Sequence, residues 1–224
     1  MKSTTLRTAS KVGITAGALL AVGLIGAASS SAAVTYTVKA GTTTTGTTPV
    51  RGTTQPIAGS DNQIIFKNTT TGVNLGCVSG TANGSATLGP AVGAAVGKIT
   101  KTTWRTCQGP AGITLTPKEV GTWQIKASGR TSAAGVTKAS VTNVNATVTG
   151  TGCTFTVKGA ATGSYNNSTQ VLSLAPLAAP TAAQKLTVSA VSGCFGAINN
   201  GDNVTFTANY KLVATAGALS IKSN

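Results

Sequence analysis

The segment KITKTTWRTCQG, residues 98–109, concentrates side chains that bind or react. Its twelve positions hold two lysines, an arginine, a cysteine and one of the two tryptophans of the chain. Ammonium and guanidinium groups pair with anions, and an indole offers a flat face to a planar ligand. Lys101, Trp104 and Arg105 are therefore candidate binding residues, and Cys107 is either a reactive thiol or one half of a disulfide.

The residue types that are missing exclude most catalytic chemistry. The chain has no histidine, so a Ser-His-Asp or Cys-His centre lacks its base and a His-ligated zinc site lacks its ligands. The three acids, Asp61, Glu119 and Asp202, are isolated in the sequence, and no phosphate-binding glycine motif is present. A Ser-Lys dyad is compatible with the composition, but no pair of residues stands out. We expect a protein without catalytic residues, metal ligands or cofactor.

Residues 1–33 have the pattern of a secretory signal peptide. A basic stretch without acids is followed by an uncharged apolar run over 12–28 and by small residues, Ser31-Ala32-Ala33, that suit cleavage before Val34. The alternative is a membrane anchor, but the apolar run holds several glycines and a threonine and is short for a bilayer. We expect a secreted protein, extracellular or associated with the cell wall, with no transmembrane segment in the mature chain.

The charge of the remaining chain, residues 34–224, is strongly basic. These residues include fourteen Lys and Arg and three acids, which gives a net charge of +11. These bases are spread singly along the chain, whereas nucleic-acid binders cluster them on one face, often with aromatic residues between. The spread argues against nucleic acid as a partner and favours loose attraction to anionic cell-wall polymers, with self-association as a further possibility.

Alternation of apolar and polar residues predicts β-strands throughout. It is clearest in NVTFTANYKLVA, residues 203–214, and it recurs around Trp123 and Phe155. Gly and Asn-Gly pairs, such as Asn83-Gly84 and Asn200-Gly201, suggest turns, and the Ala-rich runs PAVGAAVG and LAPLAAPTAA suggest loops. The pattern predicts a single all-β domain, an antiparallel β-sandwich or barrel.

The segment from 41 to 59, GTTTTGTTPVRGTTQPIAG, is the least regular part of the domain. Its Thr, Gly and Pro content would suit a flexible or glycosylated stalk. It is short, however, and lies between two predicted strands. We therefore expect an irregular edge strand or a long loop.

Two segments that end near a cysteine resemble each other. Residues 98–109 and 185–196 both begin with Lys-aliphatic-Thr, place Cys at the tenth position and Gly two residues later. Each follows a Gly-Cys pair and precedes an alternating strand. The pattern predicts two similar halves, an internal repeat over 60–135 and 136–222.

The repeat selects among the three pairings that four cysteines allow. If the halves are equivalent, each closes its own disulfide, Cys77–Cys107 and Cys153–Cys194, as expected for an exported protein. Cys107 then belongs to the scaffold. Lys101, Trp104 and Arg105 have no counterparts in the second half, where Val188, Val191 and Ser192 take their places.

The order of short motifs along the mature chain resembles a group of small secreted proteins common in high-GC Gram-positive bacteria. The motifs are Gly-Cys, Cys107-x-Gly109, GTWQI, GTGCTFTVKG, SYNNSTQVL and, most specifically, SGCFGAINNGD. The resemblance covers nearly all of residues 34–224. It implies export and a disulfide-bonded β fold, and it lends no activity and no functional residue.

Three non-catalytic functions fit these features. The first is a structural or interaction protein of the cell envelope or extracellular space. The second is a ligand-binding β module for carbohydrate or a small apolar molecule, with Trp104, Trp123, Tyr165 and Tyr210 supplying ring faces. Core packing is the alternative role for these rings, most strongly for Trp123 and Tyr210. The third, a membrane-inserted pore, needs aromatic girdles that the few aromatic residues do not supply.

Overall fold

The computed structural model describes residues 33–179 and 181–224, so the predicted signal peptide lies outside the described residues except for Ala33. The described chain forms thirteen β-strands, all paired antiparallel, and three short 3₁₀ turns, which confirms the all-β class. The strands are β1 Tyr36–Ala40, β2 Gly46–Gln55, β3 Ile64–Asn68, β4 Asn74–Val92, β5 Ala95–Gln108, β6 Thr114–Glu119, β7 Trp123–Ser128, β8 Val136–Gly150, β9 Cys153–Asn166, β10 Val171–Leu174, β11 Leu186–Gly193, β12 Asn203–Ala214 and β13 Leu219–Ser223.

Strands β2 to β12 close into a barrel. Around one end the pairings run β3–β4–β5–β6–β8–β9–β11–β12 and return to β3. Around the other end they run β2–β4–β5–β7–β8–β9–β10–β12 and return to β2. Each circuit has eight strand positions, and neighbours in the ring follow each other along the chain. The fold is therefore an up-and-down barrel rather than a sandwich.

Three of the eight positions are each filled by two collinear strands. β12 shows this directly, because Ala208 pairs with Ile64 of β3 while the next residue, Asn209, pairs with Gln55 of β2. The chain leaves the wall between them over residues 56–63. Similar interruptions separate β6 from β7 and, over 175–179 and 181–185, β10 from β11. The last of these includes the Pro-containing run that the sequence places in a loop.

The interpretation of residues 41–59 as an edge strand or loop is wrong. Residues 46–55 form β2, which lies inside the ring between β4 and β12. Its proline is tolerated because Pro49 pairs only with β4, and β12 joins from Val50 onward. Thr residues alternate between the two faces of this strand, so its composition resembles a loop while its period is that of a strand.

Two other local interpretations need correction. Asn83-Gly84 is not a turn, because it lies within β4 at a shift of register against β5. Glycine is required there, since a Cβ at position 84 would overlap the carbonyl oxygen of Lys98. Most of PAVGAAVG belongs to β4 and β5, with only a short hairpin turn between the strands. Asn200-Gly201 does form a turn, with Gly201 at φ 87°.

Strands β1 and β13 form a two-stranded ribbon at one end of the barrel. β1 also pairs with the end of β4, and the opposite edge of β13 is bound by side chains instead of a strand. Gln170 accepts from the Leu219 amide at 2.6 Å and donates to the Leu219 carbonyl at 2.8 Å. Asn167 makes the same pair of bonds to Ile221, at 2.8 and 2.9 Å. Two amide side chains thus replace a neighbouring strand and fasten β13 over this end.

Both disulfides lie at the opposite end, and their pairing confirms the prediction. Cys77–Cys107 joins β4 to β5, and Cys153–Cys194 joins the start of β9 to the residue after β11. Each bridge therefore joins strands that are neighbours in the ring. For loops of this length a disulfide contributes about 3–4 kcal/mol in the chain-entropy model. The internal repeat over 60–135 and 136–222 stays a prediction.

A buried carboxylate ties two turns together at the disulfide end. Asp202 accepts from the Asn68 side chain at 2.6 Å and from the Asn199 amide at 2.8 Å. Burial acts to raise the pKa of Asp202, but hydrogen bonds from Asn68, Asn199 and Thr70 outweigh it, so the pKa lies below its usual value of 3.8. The ionised form of Asp202 thus holds the 69–73 turn against the 194–202 loop.

The side-chain hydrogen bonds that hold β13 predict a measurable loss of stability in Gln170→Ala. The substitution leaves the Leu219 amide without a partner at a half-buried site and removes one of the two donors to the Leu219 carbonyl, which costs about 1–3 kcal/mol. Urea unfolding measures the difference. Gln108→Ala, at an exposed position at the end of β5, is the control and should change stability little. Equal stability of the two variants would contradict a stabilising role for the Gln170 hydrogen bonds.

Asp202 predicts a loss of stability in acid. A group whose pKa is lowered by folding stabilises the fold above its unfolded pKa, and this contribution disappears as the pH falls through the folded pKa, here below 3.8. Asp202→Asn should therefore be less stable than the wild type at pH 6, with the gap closing between pH 4 and pH 2. Urea midpoints across this range measure the gap, and Asp61→Asn, at an exposed position, is the control. A gap that does not depend on pH would rule out this assignment.

Candidate functional site: an apolar chamber inside the barrel

The barrel interior contains an apolar chamber of about 150 Å³. Every strand from β2 to β12 contributes to its wall, and Leu219 and Ile221 of β13 close it at the ribbon end. Its aromatic lining residues are Phe66, Trp104, Trp123, Phe155, Tyr165, Phe206 and Tyr210. An eight-stranded barrel is just wide enough either to be filled by its own side chains or to hold one small ligand. The interior of this barrel is not completely filled by its own side chains.

Small inward-facing side chains explain why the chamber is not filled. Ala139 and Ala161, in adjacent strands, are buried and line the chamber, as do Ala86, Ala127 and Ala146. Each occupies a position where alternation directs the side chain inward, and none reaches far across the barrel. This is the signal in the sequence that points to a cavity, because apolar alternation with Ala at inward positions leaves space at the axis. The sequence-based interpretation missed it.

Two aromatic pairs shape the chamber. The Trp104 and Trp123 rings lie 6.1 Å apart between centroids with a tilt of 34°, and Phe66 lies 6.2 Å from Phe155. The Trp123 Nε1–H donates to the carbonyl of Asn145 at 3.2 Å. Trp123 and Tyr210 are buried at the positions where core packing was predicted. Both also line the chamber, so their rings pack in the wall and face the cavity.

The three predicted surface residues do not share one surface. Lys101 and Arg105 are exposed on the outside of β5, whereas Trp104 is half-buried, packs against the core and lines the chamber. Strand alternation is the physical reason, since residues 101 and 105 point away from residue 104. Trp104 therefore belongs to an internal site, and the two basic residues belong to the outer wall.

The chamber is electrically neutral. Lys98 is the one charged residue that contributes to its lining, and it is exposed to solvent. Tyrosine hydroxyls at the wall stay protonated, because burial raises the pKa of Tyr165 well above its usual 10 and that of Tyr210 to about 12. The Trp104 indole beside Tyr210 opposes part of that rise. A neutral apolar molecule fits this environment, whereas a charged one would lose its hydration without a partner.

A second apolar hollow, of about 280 Å³, lies at the disulfide end. Leu75, Leu115 and Phe155 line both hollows and so form the partition between them. Phe195 borders the outer hollow with 84% of its surface exposed, on a backbone held at φ 50° directly after Cys194. This end therefore presents apolar surface to solvent at Phe195, next to a second hollow outside the chamber.

The described residues show no other chemical centre. Within 33–179 and 181–224 there is no group of three or more His, Cys, Asp or Glu residues that could hold a metal ion. No helix of that part of the chain is both long enough and apolar enough to cross a bilayer.

Comparisons of the chain with protein-family models, with curated proteins and with solved structures find no significant match.

The burial of the tyrosines predicts a delayed alkaline titration. The chain has three tyrosines, and burial raises the pKa of Tyr36, Tyr165 and Tyr210. Phenolate absorbance near 295 nm should be weaker for the folded protein at pH 10 than for the unfolded chain in urea, whose tyrosines are half-ionised at that pH. Folding raises these pKa values, so stability should fall as the pH rises above 10. A folded protein that gains one phenolate with a midpoint at pH 10 would contradict the burial of that ring.

Proposed function

We propose that this chain is an exported, non-catalytic protein that binds one small apolar molecule inside its barrel. The apolar chamber inside the barrel carries the proposal. An apolar cavity of about 150 Å³ stays dry and accepts a molecule of the size of benzene. A ligand of this class has about one ring, so the proposal favours the small apolar molecule over carbohydrate, whose hydroxyl groups would find few partners in such a wall.

Export is part of the proposal and is supported by independent features. Residues 1–33 have the order of a signal peptide, and all four cysteines are paired, as in proteins of oxidising compartments. Absence of histidine from the chain and the isolation of the three acids support a role without catalysis. The resemblance to small secreted proteins of high-GC Gram-positive bacteria agrees with this location.

The outer wall supports an association with the cell envelope. Four strands of the barrel carry exposed bases, namely Lys101 and Arg105 on β5, Lys118 on β6, Lys158 on β9 and Lys211 on β12. Bases distributed around the wall create a general positive field and no single binding patch, which suits loose attraction to anionic cell-wall polymers. The ligand-binding interior and the basic exterior are thus two separate properties of the same barrel.

Toluene tests the chamber directly. We expect saturable binding of toluene, with a rise in the thermal midpoint that grows with toluene concentration, because a ligand that binds only the folded state stabilises it. Ala139→Leu, which places extra side-chain volume in the chamber, should abolish this rise while the barrel still folds. Ala133→Leu, at an exposed position outside the barrel wall, should leave the response unchanged.

Variants of the outer wall are further controls for the toluene experiment. Lys101→Ala and Arg105→Ala should bind toluene like the wild type, because both side chains lie outside the barrel. A thermal midpoint of the wild type that does not change with toluene would overturn the proposal. So would a response that Ala139→Leu leaves intact, since toluene would then bind elsewhere.

A further inference from the structure

One hydrogen-bond donor at the chamber wall has no partner. The Nε1 atom of Trp104 is buried and makes no hydrogen bond. The indole N–H lies close enough to the Tyr210 oxygen to oppose part of the rise in the Tyr210 pKa, but the two groups do not meet the geometry of a hydrogen bond. A buried donor without a partner costs about 1–3 kcal/mol, so such a group in a folded protein calls for an explanation.

Three other polar side chains of the inner wall already have partners within the protein. Tyr165 donates to the Leu219 carbonyl at 2.9 Å, Thr137 donates to the Ile221 carbonyl at 3.3 Å, and Thr102 donates to Glu119 at 2.7 Å. Among the described residues, one other buried side-chain polar atom lacks a partner, Thr142 Oγ1, and Thr142 does not line the chamber. Among the described residues that line the chamber, Trp104 Nε1 is therefore the one buried side-chain polar atom without a partner.

The type of group that would satisfy this donor follows from its surroundings. An indole N–H donates and does not accept, so the ligand must supply an acceptor. An anionic acceptor is disfavoured, because the chamber has no buried cation to pair with it. A carbonyl oxygen is the neutral acceptor that combines with a compact apolar body.

We infer that Trp104 is the specificity-determining residue of the chamber and that the ligand class is a small neutral carbonyl compound. Its oxygen accepts the Trp104 Nε1–H beside the Tyr210 hydroxyl, and its apolar body fills the space between the aromatic and alanine side chains. The inference rests on the proposed function and narrows it from apolar molecules in general to those with one acceptor.

Cyclohexanone and methylenecyclohexane provide a matched pair of probes. They have nearly the same size and shape, and they differ in a C=O group that replaces C=CH₂. The chain has two tryptophans, so the ¹H–¹⁵N spectrum of the labelled protein contains two indole signals. Cyclohexanone should move the Trp104 indole proton downfield, whereas methylenecyclohexane should not. The Trp123 signal is an internal control, because its Nε1–H is already bonded to Asn145.

Trp104→Phe assigns the signals and measures the contribution of the bond. Phe keeps an aromatic ring at the wall and removes the donor. Affinity for cyclohexanone should fall about three- to tenfold, the range of one neutral hydrogen bond, while affinity for methylenecyclohexane should change less than twofold. The spectrum of the wild-type protein needs no variant, so the inference can be tested even if Trp104→Phe does not fold.

The outcomes separate the two proposals. Binding of both probes without a selective downfield shift, or with equal losses in Trp104→Phe, would overturn the role of Trp104 and leave the chamber as a general apolar site. Binding of methylenecyclohexane but not of cyclohexanone would also overturn the role of Trp104. Failure of both probes and of toluene to bind would overturn the proposed function, and the inference with it.

Discussion

Closure of the sheet by β12 is the constraint on which the rest of the structure depends. β12 pairs with β10 and β11 on one side and with β2 and β3 on the other, so the last strand of the ring meets the first. Closure satisfies the backbone hydrogen bonds of both terminal strands, which would otherwise be exposed edges open to aggregation. It also fixes the number of strand positions, and this number fixes the width of the interior.

The interior follows from that width and from the choice of inward side chains. Eight positions give an axis that large side chains can fill, but alanines occupy many inward positions here, and the seven aromatic residues line the wall without filling the centre. The two ends are closed by different means. At one end, amide side chains hold β13 across the opening, and at the other, the disulfides and Asp202 fix the turns.

Local patterns in the sequence predict part of this architecture. Alternation around Trp123 and Phe155 predicts strands, and the likeness of residues 98–109 to 185–196 led to the correct disulfide pairs. Closure was not predictable, because it depends on pairs such as Val204 with Asn68, which are distant in sequence and have no local signature. β2 was misinterpreted because Thr, Gly and Pro suggest a loop by composition, even though its period is that of a strand.

The sequence alone identifies a candidate residue of the site but not its position inside the barrel. Trp104 stood out by its type and by having no counterpart in the second half, but its basic neighbours suggested a surface patch. Only the pairing of β5 with β4 decides which face of the strand is inside, and it turns Trp104 inward and leaves Lys101 and Arg105 outside. The unpaired Nε1 atom depends on the packing of several strands and has no sequence signal at all.

The central claim is that the barrel encloses a dry apolar space large enough for a small molecule. A crystal structure of the protein under xenon pressure tests it most directly, because xenon enters apolar cavities and scatters strongly. We predict a xenon atom inside the ring, in contact with Trp104, Phe155 or Tyr210. An interior that holds no xenon, or ordered water in place of it, would contradict the account.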